Sequence, residues 1–232
     1  MEKGKFWLYQ IPIYSLIFLA AVYLALFTSK TATTVSYQDN RHTVIIDAGH
    51  GGEDGGATSC TGILESQFNL DIALRLDKWM QLLGYKTLMV RTSDTAVHTS
   101  GNTIAARKAS DLKARVKLVN ETPNGILISV HQNYFTESKY SGSQVFYGKN
   151  EDSKALAQMM QTSLREDLQQ GGNRQAKLAQ GIYLMEHIQN PGILVECGFL
   201  SNPEEEQKLR DPEYQKQLCA VIAASLCDYF AS

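Results

Sequence analysis

The sequence predicts an α/β fold: a largely parallel twisted sheet of about six strands with helices on both faces, preceded by one N-terminal transmembrane helix. Short aliphatic runs such as Val44-Ile45-Ile46 alternate along the chain with longer segments of helical periodicity. This alternation is typical of a parallel sheet that is covered on both faces. The transmembrane helix is predicted from a long uncharged stretch at residues 6–27. A chain of 232 residues, 44% of them hydrophobic, can bury one substantial core.

The N-terminal part of the chain is predicted to lie outside the folded domain. Residues 6–27 carry no charged side chain, and roughly 22 helical residues at about 1.5 Å each span about 33 Å, close to the hydrocarbon thickness of a bilayer. Two lysines within residues 1–5 place that end in the cytoplasm. Residues 28–41 then form a polar stalk, and the domain at 42–232 lies outside the membrane. A cleaved signal sequence is the alternative, and both interpretations export the domain.

Strands are predicted where aliphatic and β-branched residues lie between turn residues. The six candidates are residues 43–47, 85–90, 125–131, 143–148, 181–185 and 192–197.

The first helix has the clearest pattern. Apolar residues recur at spacings of three and four from Phe68 to Leu83, and Gly84 provides a C-terminal stop. Extending this stripe backward places Glu65 on the same inward face. Burying a carboxylate there costs free energy unless a cation meets it.

Four further helices follow from weaker patterns. Apolar residues from Ala105 to Val119 define a second helix with Arg and Lys on its other faces, and residues 152–170 define a third. Asn202-Pro203 and Asp211-Pro212 are start signals for the last two helices, because each pairs an N-cap residue with a proline in the first turn.

Charge and cysteine content narrow the functional classes. The formal net charge is -2 and no basic stripe stands out, so nucleic acid is not an expected partner. Cys219 and Cys227 lie eight residues apart on the predicted last helix, about 12 Å along its axis, which is too far for a disulfide. We interpret all four cysteines, which include Cys60 and Cys197, as mostly buried small apolar residues.

Chemically active side chains lie at the ends of three predicted strands, where open α/β sheets bind ligands. His50 lies in the glycine-rich segment after the first strand, His131 ends the third, and Glu196 lies in the last. Two imidazoles and one carboxylate on separate rigid elements are the ligand set of a catalytic zinc centre. We therefore predict that His50, Glu65 and His131 bind Zn²⁺, which would offset the cost of burying Glu65. Glu196 is predicted to be the catalytic proton shuttle.

Four motifs carry a family resemblance. Residues 47–57, Glu65 at a helix start, residues 129–133 and residues 194–204 closely resemble zinc-dependent N-acetylmuramoyl-L-alanine amidases of the type-three amidase family. The motifs occur in matching order, and the resemblance runs from about Thr43 to the C-terminus. It implies the same three zinc ligands and the same catalytic carboxylate. It also implies the bond that is cut, the amide between the lactyl group of muramic acid and the first alanine of the stem peptide.

Within that family the anchored short form looks most like the spore-cortex amidases, which prepare cortex peptidoglycan for muramic lactam formation. Residues 107–112 are similar to a segment of those enzymes, although a membrane anchor also suits vegetative or division amidases. The implied partners are peptidoglycan, as a muramoyl peptide, and the membrane, through the anchor. The implied location is the cell membrane, single-pass, with the catalytic domain extracytoplasmic. A protein activator is left open.

Two other functions remain open at this point. A zinc endopeptidase would keep the metal but cut the stem peptide, and a wall-binding module would keep the fold without catalysis. Glu53 and Asp54 are rival ligands within the glycine loop. Nucleotide binding is disfavoured because the loop lacks the Walker spacing and the dinucleotide pattern.

Several charged residues receive plainer interpretations. Asp47 either orients a ligand imidazole or forms a turn at the strand end. Arg91 and Arg107 are interpreted as members of surface ion pairs, with steering of an anionic stem peptide as the alternative. Glu204, Glu205 and Glu206 are predicted to face solvent in the first turn of their helix.

Overall fold

The structure, a computed structural model, describes residues 42–168 and 172–232. The predicted anchor at 6–27 and the stalk at 28–41 lie outside the described residues. In the part of the chain that is described, no helix combines the length and apolar character that a membrane span requires.

Six strands form one sheet in the order β2-β1-β3-β6-β4-β5. Neighbouring strands are parallel except for β4, which runs antiparallel to β6. The predicted mixed architecture with a largely parallel sheet is therefore confirmed. The strands are β1 (Thr43–Ala48), β2 (Lys86–Met89), β3 (Gly125–Asn133), β4 (Gln144–Tyr147), β5 (Lys177–Leu178) and β6 (Gly192–Phe199).

Six helices connect or follow the strands in the described residues, and local signals fix where several of them begin. The side chains of Thr103, Asn150, Asn202 and Asp211 each accept a backbone N–H at a helix start, which satisfies donors that have no partner inside the helix. Gly84 follows the first helix with φ +86°, a conformation that suits glycine. The helices are α1 (Glu65–Leu82), α2 (Ile104–Glu121), α3 (Glu151–Asp167), α4 (Tyr183–His187), α5 (Pro203–Arg210) and α6 (Pro212–Ala231).

Successive strand residues point to opposite faces of the sheet, and each face has its own core. Val44, Ile46 and Ile128 belong to a buried cluster that includes residues of α1, α3 and α6. Ile45 and Leu127 belong to a second cluster that includes residues of α2 and α4. The helices therefore cover both faces, as predicted.

The predicted strand at 181–185 is wrong, because α4 covers Tyr183–His187 instead. Leu184 and Met185 are both buried, and Ile188 packs against the same cluster. Leu184 and Ile188 are four residues apart, a spacing that places both on one side of a helical turn. The sheet edge next to β4 is formed by β5 (Lys177–Leu178), which precedes α4 in the chain and pairs with β4. Both β5 residues are exposed, so their sequence lacks the apolar alternation that identifies a strand.

The four cysteines are free thiols. Cys197 and Cys219 are buried and Cys227 is half-buried, which confirms the interpretation for these three. Cys60 is exposed, so the interpretation is wrong for that residue.

Candidate active site

The carboxyl ends of β1, β3 and β6 meet at one edge of the sheet, because these three strands are adjacent and parallel. His131 on β3 is the direct register neighbour of Glu196 on β6. His50 follows the last residue of β1 by two positions. Sheet topology thus brings three of the four predicted site residues to the same edge.

The glycine loop that follows β1 allows the imidazole ring of His50 to approach this edge of the sheet. His50 has φ +60°, an uncommon value for a residue other than glycine. A Cβ atom at Gly49 would lie 2.2 Å from Nε2 of His131, and one at Gly56 would lie 2.5 Å from Oε2 of Glu65. Both positions therefore need glycine, because ring and carboxylate occupy the space of a side chain.

Glu65, the first residue of α1, joins the two histidines. It is 4% exposed. Its Oε2 lies 3.2 Å from Nε2 of His50, and its Oε1 lies 3.0 Å from Nδ1 of His131. One ligand atom from each of these three side chains lies within 4.8 Å of the others. The structure thus brings the predicted trio together.

Backbone and amide donors hold the Glu65 carboxylate in this position. The N–H of Ala57 donates to Oε2 at 3.0 Å, while the N–H of Gln132 and the side-chain amide of Asn69 donate to Oε1 at 3.1 and 3.2 Å. Burial alone would raise the pKa of Glu65. The hydrogen bonds and charges of His131 and His50 outweigh burial and hold that pKa far below its usual range.

His50 has a second carboxylate neighbour. Its Nδ1 lies 3.0 Å from Oδ2 of Asp54, which also pairs with Lys108 at 3.1 Å. Burial lowers the pKa of His50, but the hydrogen bonds to Glu65 and Asp54 outweigh that effect and raise it. Asp54 therefore contacts the ring on the nitrogen that does not face Glu65, and Glu53 forms an ion pair with Arg107 instead.

Glu196 differs from Glu65 in its surroundings. Its Oε2 is buried and has no hydrogen-bond partner among the described residues. Burial raises the pKa of Glu196 to about 7, with the charges of His131, Glu65 and His50 as smaller influences. A carboxyl group with this pKa can both accept and donate a proton near neutral pH.

The edge of the sheet therefore carries two histidines, an ionised carboxylate and a second, buried carboxyl group whose pKa is raised. Residues 44–228 match the protein family described as N-acetylmuramoyl-L-alanine amidase. The chain belongs to the N-acetylmuramoyl-L-alanine amidase family. This amidase is 40% identical over 189 residues to the germination-specific N-acetylmuramoyl-L-alanine amidase of Bacillus subtilis strain 168. That alignment covers 81% of this chain and 79% of the relative.

Solved structures agree with this assignment. The amidase is similar to the CwlD amidase from Clostridioides difficile, solved in complex with the GerS lipoprotein, with a TM-score of 0.78 and 34% identity over 82% of this chain and 98% of that chain. An N-acetylmuramoyl-L-alanine amidase from Clostridium difficile 630 gives a TM-score of 0.72 and 32% identity over 83% and 98%. The predicted enzyme class, a hydrolase of this amide bond, is confirmed.

Arg115 of the amidase supports the His50 loop, a role that sequence reasoning missed. It is 3% exposed and forms an ion pair with Asp47, which also accepts a hydrogen bond from Ser129 at 2.6 Å. Its Nη2 donates to the carbonyl of His50 at 2.8 Å, and its Nε donates to Asp111 at 2.6 Å. Burial raises the pKa of Asp47, but the charge and hydrogen bond of Arg115, the hydrogen bond from Ser129 and the charge of His131 together outweigh burial and lower that pKa. Asp47 therefore anchors Arg115, and neither predicted role for it describes this contact.

Arg91 is a second buried support of the same loop. Its predicted surface ion pair is wrong, because the side chain is 3% exposed. The guanidinium donates to the carbonyls of Ala48 at 2.8 Å, Gly49 at 3.0 Å and Ser66 at 2.9 Å. It thus ties the glycine loop to the start of α1. The predicted surface pairing of Arg107 is confirmed by its contact with Glu53 at 2.6 Å.

Two of the three predicted solvent-facing glutamates are also buried. Glu205 accepts the backbone N–H groups of Gly142 at 2.9 Å and Phe199 at 3.0 Å. Glu206 is 0% exposed and bonds Ser59, Thr61 and Arg210. The prediction fails because α5 packs against donors that need acceptors, which are backbone N–H groups for Glu205 and the hydroxyl groups of Ser59 and Thr61 for Glu206. Glu204 remains exposed, as predicted.

We expect Gly49→Ala to lower kcat/KM of the amidase at least tenfold. The new methyl group would displace the His131 ring, whose Nε2 lies 2.2 Å from its position. Gly148→Ala is the matched control, because its Cβ meets no atom closer than 3.3 Å and Gly148 lies at the opposite edge of the sheet. Steady-state kinetics check this, and wild-type kcat/KM in Gly49→Ala would contradict it.

Proposed function

We propose that this amidase uses a zinc ion held by His50, Glu65 and His131, with Glu196 as the group that transfers protons. The main support for the proposal is that one ligand atom from each of these three side chains lies within 4.8 Å of the other two. Tetrahedral zinc with bonds of about 2.0–2.2 Å places neighbouring ligand atoms roughly 3.4 Å apart. Small side-chain movements are enough to reach that spacing.

The donor chemistry also fits zinc. Two imidazole nitrogens and one carboxylate oxygen, each from a different element, leave one coordination position for water or substrate. Glu65 is already ionised, and three hydrogen-bond donors outside the trio orient it. When bound, zinc supplies a Lewis acid that polarises the amide carbonyl and lowers the pKa of water.

Glu196 performs the proton transfers in this proposal. As a carboxylate it takes a proton from the attacking water while the new C–O bond forms at the lactyl carbonyl carbon. As a carboxylic acid it then gives that proton to the alanine nitrogen while the C–N bond breaks. The products are a free lactyl carboxylate on the sugar and a stem peptide with a free amino terminus.

This role predicts the pH dependence of the reaction. Burial raises the pKa of Glu196 from its ordinary value of 4.5 to about 7, so acidification protonates the base and removes activity. A bound cation favours the carboxylate and moves the pKa back toward its ordinary value. We therefore expect kcat/KM to rise with pH through an inflection between 4.5 and about 7 and to level off above that inflection. Kinetics from about pH 4 to pH 9 check this, and an inflection that persists in Glu196→Gln would contradict it.

The proposal extends to the spore cortex. The supporting likeness is to a relative named as germination-specific, and to a CwlD amidase that was solved with a lipoprotein bound. We propose that this amidase acts on cortex peptidoglycan, outside the membrane, with its N-terminal stretch 6–27 as the anchor. A protein partner at the envelope is part of the same proposal.

Digestion of purified peptidoglycan tests the reaction. The full chain is incubated with cortex and vegetative peptidoglycan, with and without a chelator, and the products are analysed by mass spectrometry. We expect intact stem peptides with free N-terminal alanine, preferentially from cortex, and recovery of activity when zinc is restored. Shortened stems that remain on the sugar would instead support an endopeptidase. Absence of any product would support a wall-binding module.

A further inference from the structure

His50 is the predicted zinc ligand that lies in a loop, whereas Glu65 begins α1 and His131 lies within β3. The His50 backbone has φ +60°, a value that residues other than glycine rarely adopt. Two glycines with positive φ follow it directly, Gly51 at +127° and Gly52 at +60°. Such backbone has more conformational freedom than the strand before it. The His50 ring therefore depends on contacts with other side chains to keep one orientation.

A tight turn after His50 supplies such a contact. The N–H of Gly51 donates to the carbonyl of Asp54 at 2.8 Å, and the N–H of Asp54 donates to the carbonyl of Gly51 at 3.2 Å. These two hydrogen bonds close residues 51–54 into a turn that carries the Asp54 side chain back toward His50. Oδ2 of Asp54 lies 3.0 Å from Nδ1 of His50, while the other ring nitrogen faces Glu65.

The helix α2 holds the Asp54 carboxylate in turn. Nζ of Lys108 lies 3.1 Å from Oδ2 of Asp54. The neighbouring Arg107 pairs in the same way with Glu53 at 2.6 Å. Two consecutive cations of α2 therefore hold two consecutive carboxylates of the turn. Within the described residues, only the Lys108–Asp54 pair includes a side chain that forms an ion pair with His50.

A carboxylate at Nδ1 determines which ring nitrogen of His50 can bind a metal. An aspartate is ionised at neutral pH and only accepts hydrogen bonds, so Nδ1 carries the proton. The lone pair then remains on Nε2, which lies 3.2 Å from Oε2 of Glu65. A carboxylate in this position also fixes the plane of the ring and makes the other nitrogen a better metal ligand. Asp54 itself is not one of the three converging side chains.

We propose that Asp54 is a positioning residue of the metal centre, which orients His50 through Nδ1 while Lys108 holds the Asp54 carboxylate in place. The inference rests on the proposed function, because it takes His50 as a zinc ligand. It gives the rival ligand of the glycine loop a role beside the metal rather than on it. Through Lys108 it also links residues 107–112, the segment that resembles spore-cortex amidases, to the metal centre.

Zinc affinity tests the role of Asp54. Zinc is titrated, in competition with a chromophoric chelator, into the full chain from which metal has been removed. We expect Asp54→Ala to weaken zinc binding about 10- to 100-fold, the range for groups that orient a metal-binding histidine. Asp54→Asn, which keeps an acceptor oxygen but not the charge, should lose less, and it decides the comparison if Asp54→Ala does not fold. Wild-type affinity in both variants would overturn the proposal.

The matched control is Glu53→Ala, which removes the neighbouring carboxylate of the same turn together with its ion pair to α2. It should bind zinc within about twofold of the wild type, as expected for an exposed ion pair of small effect. A loss as large as that of Asp54→Ala would overturn the proposal, because it would trace the effect to the turn as a whole.

A spectroscopic measurement reports on the ring itself. In the zinc-loaded chain labelled with ¹⁵N-histidine, the Nδ1–H proton of His50 should exchange slowly with water. We expect this exchange to be about tenfold faster in Asp54→Ala, since a hydrogen bond to a charged group contributes on that scale, and unchanged in Glu53→Ala. Equal exchange rates in the wild type and Asp54→Ala would overturn the positioning role.

Variants of α2 test the part of Lys108. Lys108→Gln should weaken zinc binding about twofold to fivefold, the scale of an exposed ion pair, and Lys108→Arg should restore it. Arg107→Gln, the matched control on the same helix, should leave zinc affinity unchanged. Equal affinities of Lys108→Gln and the wild type would overturn the role of Lys108.

Failure of the proposed function would give a different result. If the wild-type chain binds no zinc, or if Glu65→Gln binds it as tightly as the wild type, the metal centre itself is overturned. If Glu65→Gln loses zinc while Asp54→Ala keeps wild-type affinity, only the positioning role is overturned.

Discussion

Glu196→Gln is expected to lower kcat by roughly 10³-fold, within the 10²–10⁴-fold range that general acid–base groups contribute. The amide has the same shape as the carboxyl group but can neither accept the proton from water nor return one to the leaving amine. Zinc binding should persist, because Glu196 is not one of the three converging side chains. Kinetics on a muramoyl peptide, together with zinc analysis of the same preparation, check both parts of this expectation.

The control for Glu196→Gln is Glu204→Gln, which removes the same charge from an exposed position on α5. It should leave kcat within twofold of the wild type. Retention of wild-type kcat in Glu196→Gln would defeat the proton-transfer role. Loss of zinc from that variant would show that Glu196 acts on the metal rather than on protons.

Glu65→Gln is expected to weaken zinc binding at least 100-fold and to remove activity with it. The carboxylate supplies the negative charge of the donor set, and both of its oxygens accept hydrogen bonds. An amide would place N–H groups opposite one of these donors, which leaves a buried donor unsatisfied and costs about 1–3 kcal/mol. The variant should therefore also unfold at a lower temperature. Zinc affinity by calorimetry and a thermal unfolding curve measure the two effects.

Asp71→Asn provides the control for Glu65→Gln, because Asp71 lies on the same helix with an exposed side chain. It should bind zinc as the wild type does. Equal zinc affinity in Glu65→Gln and the wild type would remove Glu65 from the proposed ligand set.

The convergence of the predicted site residues follows from two simple periodicities. Strand ends in a parallel sheet meet at one edge, which brings His131 and Glu196 together. The 3.6-residue stripe of α1 carries Glu65 inward to the same place. Neither step requires knowledge of long-range contacts. The glycine content of the loop indicates that other groups approach its backbone closely. It does not identify these groups as the His131 ring at Gly49 and the Glu65 carboxylate at Gly56.

The supporting residues were harder to predict. Arg115 follows Leu112 by three positions and precedes Val119 by four, so it lies on the buried stripe of α2 and its periodicity is a usable signal. Arg91 gives no such signal, because its partners are backbone carbonyls far away in sequence, at the end of β1, in the glycine loop and at the start of α1. Glu205 and Glu206 likewise accept hydrogen bonds from residues far away in sequence.

The error at α4 has a different cause. A run of five residues with two adjacent buried side chains, Leu184 and Met185, fits a short strand and a single helical turn equally well. The choice between them depends on which face of the sheet remains uncovered. Leu184 and Met185 pack there beside Leu127 and Leu194, against the face that α2 also covers.

A crystal structure of the zinc-loaded chain, with anomalous data at the zinc absorption edge, tests the central claim most directly. We predict a zinc peak within about 2.0–2.2 Å of one nitrogen each from His50 and His131 and one oxygen of Glu65. The Glu196 carboxyl group should lie beside the open coordination position without binding the metal. A zinc ion bound elsewhere, or one held by Glu196 in place of Glu65, would contradict the proposed centre.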